Sequence, residues 1–139
     1  MKTYQAVVLW AAVVAAVVPL ATQAATVSDF HGAFYCKPVG GSTKGGLDTV
    51  IGDKWTDVQG REVTDPGHTV FAWGNKDKSV TWGTATAQPD GTVRFVAPGR
   101  KAMSWSTMRA KPIDESDYAP WFTIKEDGGK TYECGYAAG

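Results

Sequence analysis

The stretch "SVTWGTATAQPDGTVRFVA", residues 79–97, decides the fold class. Val80, Trp82, Thr84 and Thr86 alternate onto one face of an extended chain, and Val93, Phe95 and Ala97 alternate in the next run. Side chains of period two belong to strands. Between the runs stands Pro89-Asp90-Gly91, in which proline presets φ, aspartate bonds its own backbone and glycine accepts positive φ. The stretch therefore reads as a tight antiparallel hairpin. The same grammar extends in both directions. "HTVFAW" (68–73) enters the hairpin through "GNKDK", and "AMSWSTMRA" (102–110) follows it. "WFTIK" (121–125) then turns through "EDGGK" into "TYECGY" (131–136). Short β-branched and aromatic runs separated by turn residues predict an all-β antiparallel meander, either a small barrel or a sandwich. The barrel is favoured, because pairing the first strand with the last removes both open edges.

One segment departs from the pattern. In "GGLDTVIGDKWTDVQG" (45–60), Leu47, Val50, Ile51, Trp55 and Val58 fall near helical spacing, so a short helix is expected over residues 47–58. Gly52 inside the run and the weak helix formers Thr49 and Val50 leave two short strands about Gly52-Asp53 as the competing reading. The preceding "GGSTKGG" (40–46) reads as a loop.

The two cysteines, Cys36 and Cys134, lie in strand-like segments near the two ends of the chain. Their pairing would tie the first strand to the last. Closing a loop of about 100 residues removes on the order of 4–5 kcal/mol of unfolded-state entropy. Such a bond needs an oxidising compartment. The N-terminus agrees, with Lys2, an apolar run to Leu20, Pro19, and small residues at Thr22 and Ala24 forming the three parts of a secretory leader. The run is shorter than the ~20 residues that span a bilayer as a helix. Cleavage is expected near Ala24 or Ala25, dividing the chain into a signal peptide, 1–24, and a single β domain, 25–139, secreted or periplasmic and without a stable membrane span.

Loss of Lys2 from 14 Lys+Arg leaves 13 against 14 Asp+Glu in the exported part. That balance argues against nucleic-acid binding, which relies on uncompensated cations. Catalytic signatures are sparse. "GGSTKGG" lacks the Gly-Lys-Ser/Thr order of a phosphate loop, His68 follows a turn-like "TDPG", and no serine sits in a Gly-x-Ser-x-Gly elbow. "DESD" (114–117) lacks the alternating ligands and glycine of an EF-hand. No cofactor, metal or catalytic residue is assigned.

Charge and aromatics meet in "GRKAMSWSTMRAKP" (99–112) and the nearby "YAPW" (118–121). Met103, Trp105, Thr107 and Arg109 share one strand face, which is expected to be the core face because methionine and tryptophan bury more apolar area than the alanines and serines opposite. If the other face packs inward, Trp105 and Arg109 are displayed together. Arg100, Lys101, Arg109 and Lys111 are expected as exposed cations that either pair with Asp114, Glu115 and Asp117 or attract an anionic partner, with Tyr118 or Trp121 as a stacking platform. Arg100, Lys101, Trp105, Arg109, Lys111, Tyr118 and Trp121 thus form the candidate binding set. Its partner is expected to be a protein or an anionic polysaccharide.

Three functions fit. The first is a non-catalytic exported domain that recognises a macromolecule, as an inhibitor or adaptor of a protein. A carbohydrate-binding module and a small secreted hydrolase are the others. The terminal cysteines and small β architecture are loosely similar to those of periplasmic lysozyme inhibitors, with no family motif matched residue by residue. The resemblance implies protein binding by an inserted loop.

Overall fold

The computed structural model describes residues 25–40, 45–74 and 76–138, so the expected leader at 1–24 lies outside the described residues. Among the described residues ten strands run in order: β1 (Gly32–Pro38), β2 (Leu47–Gly52), β3 (Lys54–Thr56), β4 (Glu62–Thr64), β5 (Thr69–Trp73), β6 (Val80–Ala87), β7 (Val93–Ala97), β8 (Arg100–Thr107), β9 (Phe122–Glu126) and β10 (Thr131–Tyr136). Eight close an antiparallel barrel in the order β1-β10-β9-β8-β7-β6-β5-β2. β3 and β4 form a separate hairpin between β2 and β5. Two 3₁₀ turns, Val27–Phe30 and Asp77–Ser79, are the helical pieces among the described residues. None of these is long and apolar enough to cross a membrane.

The 79–97 hairpin forms as β6 and β7, with Ala85 opposite Phe95. In its turn the Gly91 N–H donates to the Gln88 carbonyl at 3.1 Å and Gly91 takes φ 90°. Closure comes from β1 against β10, where Cys36 stands directly opposite Cys134 and the two form a disulfide across 98 residues of sequence. Both cysteines are wholly buried and face the lumen.

Side chains fill that lumen. Phe34, Phe71, Phe95, Met103, Trp105, Phe122 and Ile124 point inward from five of the strands and are fully buried. Phe30, delivered by the N-terminal 3₁₀ turn, plugs one end and stacks on Trp121 at 5.8 Å between ring centroids. An eight-stranded barrel is just narrow enough for side chains to pack it solid. Packing is tight enough to require glycine at Gly83, where a Cβ would stand 2.5 Å from the Val96 carbonyl oxygen and 2.7 Å from Ala97 Cβ.

The helix expected over 47–58 does not form. β2 and β3 occupy the segment and meet at Gly52-Asp53. The apparent helical spacing arises because its apolar residues serve different surfaces. Ile51 enters the lumen, whereas Val50 and Trp55 join Val70, Ala72, Val80 and Trp82 in a second cluster on the outside of β2, β5 and β6. Val58 stays 70% exposed. The β3–β4 hairpin thus covers an apolar patch that the barrel would otherwise leave wet. Asp77 secures it, accepting from Trp55 Nε1 at 2.8 Å and from the Val58 N–H at 3.2 Å.

Gly83→Ala is expected to lower stability by about 1–3 kcal/mol through overpacking, read as a reduced urea midpoint. An unchanged midpoint would show that the β6–β7 contact has slack.

Acid sensitivity follows from four aspartates whose pKa values lie below the ordinary 3.8: Asp57 held chiefly by the Arg61 N–H, Asp90 by the Thr92 hydroxyl, Asp114 by the Ser116 N–H and Asp127 by the Arg94 guanidinium. Depressed carboxylates contribute stability above their unfolded pKa and lose it as pH falls through the folded value. Thermal midpoints should therefore be level above about pH 5 and decline below about pH 4, and Asp127→Asn should shallow the decline.

Candidate functional site

β8 carries the expected site, and its geometry splits that site in two. Eight extended residues place Arg100 and Thr107 roughly 23 Å apart at 3.3 Å per residue. Arg100 and Lys101 therefore stand at one end of the barrel, and Arg109, Lys111, Tyr118 and Trp121 at the other. One compact anionic group cannot be gripped by both sets.

Arg100 departs from the expected exposed cation. The β7–β8 register shifts between Phe95 and Ala97, so Ala97 faces Arg100 whereas Phe95 faces Met103. This irregularity brings the guanidinium over the barrel mouth, 4.9 Å from the centre of the Phe71 ring. There Nε donates to Thr81 Oγ1 at 3.0 Å and Nη2 to the Ser79 carbonyl at 3.1 Å. Burial pulls its pKa below the ordinary value, and the charge of Glu126 acts the other way. Lys101 remains exposed.

The two tryptophans belong to the core. Trp105 is fully buried and stacks on Phe95 at 5.3 Å, as the Met103–Trp105 face was expected to pack. Trp121 is also fully buried, which corrects its reading as a stacking platform. Its N–H donates to the Cys134 carbonyl at 2.9 Å and its carbonyl accepts from the Met108 N–H at 2.8 Å, so the backbone is held between β8 and β10. The ring turns beneath the Phe30 plug. Both indole N–H groups are buried without an acceptor.

That Met108–Trp121 bond closes the neck of the long β8–β9 loop. Arg109 then works inside the loop. Its Nε donates to the Pro120 carbonyl and Nη2 to the Ala119 carbonyl, each at 3.0 Å, and Nη2 lies 3.3 Å from Asp117 Oδ1. Its donors face its own chain, which makes it a positioning residue. Gly135 admits the other side of the clamp, since a Cβ there would overlap the Tyr118 carbonyl oxygen and stand 2.8 Å from that of Ala119. Residues 117–120 are thus pressed onto β10.

Beyond the clamp the loop is open to solvent. Ile113 is 106% exposed, Met108 50% and Tyr118 53%, so three of the eight exposed large apolar side chains among the described residues sit on this one connection. Lys111 is exposed on the same loop and borders a niche shared with Ala25, Asp29 and Trp121. On the clamped side, Tyr118 overhangs a groove of about 320 Å³ whose other walls are Tyr35, Lys37, Asp48, Pro120 and Tyr136. Burial, and then the charge of Glu115, push the Tyr136 hydroxyl upward in pKa.

Tyr35, Lys37 and Asp48 escaped the sequence reading. A signal was present for Tyr35: it stands between Phe34 and Cys36, and if those face the lumen Tyr35 faces out. His68, read as a loop residue after the turn, is exposed, with Nδ1 3.2 Å from Asp65 Oδ1. Among the described residues no group of three or more His, Cys, Asp or Glu could hold a metal ion.

Comparison with known protein families, characterised proteins and solved structures finds no match to the chain.

Arg109→Gln should release the clamp without unfolding the barrel. Expected are faster amide exchange at Ala119 and a stability change of about 1 kcal/mol or less, as for an exposed ion pair. Unchanged exchange at Ala119 would show that Gly135 and Pro120 hold the loop unaided.

Proposed function

We propose that the protein is an exported, non-catalytic binding domain of inhibitor or adaptor type, and that it recognises a protein partner through the β8–β9 loop, residues 108–121. The observation that carries this reading is a loop tied at its neck and along one arm while Ile113 stands fully exposed on the remainder. Ordering a loop on binding costs free energy, and a loop held in advance avoids part of that cost. An isoleucine displayed this way suits insertion into an apolar cleft, with Met108 widening the contact. Lys111 adds charge at the edge, where it affects encounter rate more than affinity. The leader-like N-terminus and the cystine support an exported location.

The test is affinity capture by the exported protein from an extract of envelope and secreted material, with bound protein and bound glycan assayed separately. Ile113→Asp should abolish capture of the protein partner, and Lys111→Glu should weaken it at low salt. Lys101→Glu, at the opposite end of the barrel, should leave capture intact. Equal capture by the wild type and Ile113→Asp would overturn the loop assignment.

A further inference from the structure

We propose a second binding site on the flank of the barrel: the groove between Tyr35 and Tyr118 takes a neutral glycan, one or two sugar rings of a longer chain. The site is independent of the exposed arm of the loop.

A glycine backs each position, Gly46 the Tyr35 side chain and Gly135 the Tyr118 backbone. A Cβ at Gly46 would overlap the Tyr35 hydroxyl oxygen and Cζ, so the phenol end of that side chain rests against bare backbone. The backbone at Tyr118 is set by the Gly135 approach and the Arg109 clamp. Tyr35 is 40% exposed and Tyr118 53% exposed, which leaves ring surface available above the groove. The C–H face of a pyranose is weakly positive and apolar, and it meets the negative face of an aromatic ring favourably. Two rings on one groove give a sugar chain such a surface, and the backbone that carries Tyr118 is already ordered before binding.

Size and charge select the ligand. About 320 Å³ lies at the small end of ligand sites, which suits one or two sugar rings. Lys37 and Asp48 line the groove with opposite charge. An acidic polysaccharide would meet one cation and one carboxylate, with Glu115 near enough to raise the Tyr136 pKa. The guanidinium of Arg109 faces its own loop carbonyls. Neutral sugar hydroxyls both donate and accept, so they satisfy the Lys37 ammonium and the Asp48 carboxylate together.

The experiment titrates the exported protein with cellohexaose, chitohexaose and maltohexaose, and with polygalacturonate as the acidic comparison, by calorimetry at two salt concentrations. At least one neutral hexaose should bind, with affinity insensitive to salt. Tyr118→Ala and Tyr35→Ala should each weaken it about five- to tenfold, Tyr118→Phe should retain it, and Ile113→Asp should leave it unchanged. Binding by none of the three neutral sugars overturns the glycan assignment, as does salt-sensitive binding of polygalacturonate alone. Since Ile113→Asp removes protein capture and not sugar binding, failure of either site is read separately from the other.

Discussion

Everything at the surface of this barrel depends on one long-range pairing, that of β1 with β10. The seven other neighbouring pairs in the barrel link strands that follow one another along the chain, with the β3–β4 excursion the sole interruption. Connections of that kind carry a modest loop-closure cost. β1 and β10 come from opposite ends of the sequence, and their ladder must close a loop of nearly the whole domain before its hydrogen bonds contribute. The Cys36–Cys134 bond lies in the middle of that ladder, with Cα atoms 4.1 Å apart. It restricts the unfolded chain at the single place where the fold is entropically weakest. The Tyr35–Tyr118 groove inherits this dependence, since β1 and the β8–β9 loop become neighbours only when the barrel closes.

A filled lumen sends function outward. Wider barrels, or barrels lined with small side chains, carry ligands inside. Here stacked, tilted and edge-to-face aromatic rings run from Phe71 through Trp105 and Phe30 to Trp121 and Phe34. The lower end is closed by Phe30 and the upper mouth is lidded by Arg100. What remains available is the outer wall and the connections, and of these the β8–β9 loop is the most elaborated.

The sequence made the strands legible because alternation and turn chemistry are local properties. Val93, Phe95 and Ala97 alternate and are buried in alternation, and Pro89-Asp90-Gly91 turns where its residue types require. Residues 47–58 misled for a physical reason: their apolar side chains face two surfaces, the lumen and the patch under Trp55, and two interleaved period-two patterns imitate one helical stripe. Cations were the harder case. A sequence can count Arg100 and Arg109 but cannot show whether their donors meet solvent or backbone. The β7–β8 irregularity turned one inward, and the carbonyls of Ala119 and Pro120 engaged the other. Trp121 looked like a platform because nothing in "YAPW" reveals that Phe30, some 90 residues earlier in the chain, would cover it.

The fate of Arg109 bears on how a loop this long can bind anything tightly. Irregular connections beyond about 12–15 residues are uncommon in small domains, because their freedom must be lost when they engage a partner. This loop loses much of it on folding. The Met108–Trp121 bond fixes the neck, Arg109 and Gly135 fix the arm at 117–120, and the Asp114 side chain, accepting from the Ser116 N–H at 2.9 Å, bends the segment between. A guanidinium suits the central task, since its planar fork reaches two carbonyls and a carboxylate at once, which a lysine ammonium on a flexible stem does less well. The consequence is a division of labour within one connection. The clamped arm presents Tyr118 to the groove, and the open arm presents Ile113 to solvent. The cation that looked like a binding contact is what holds the two apart.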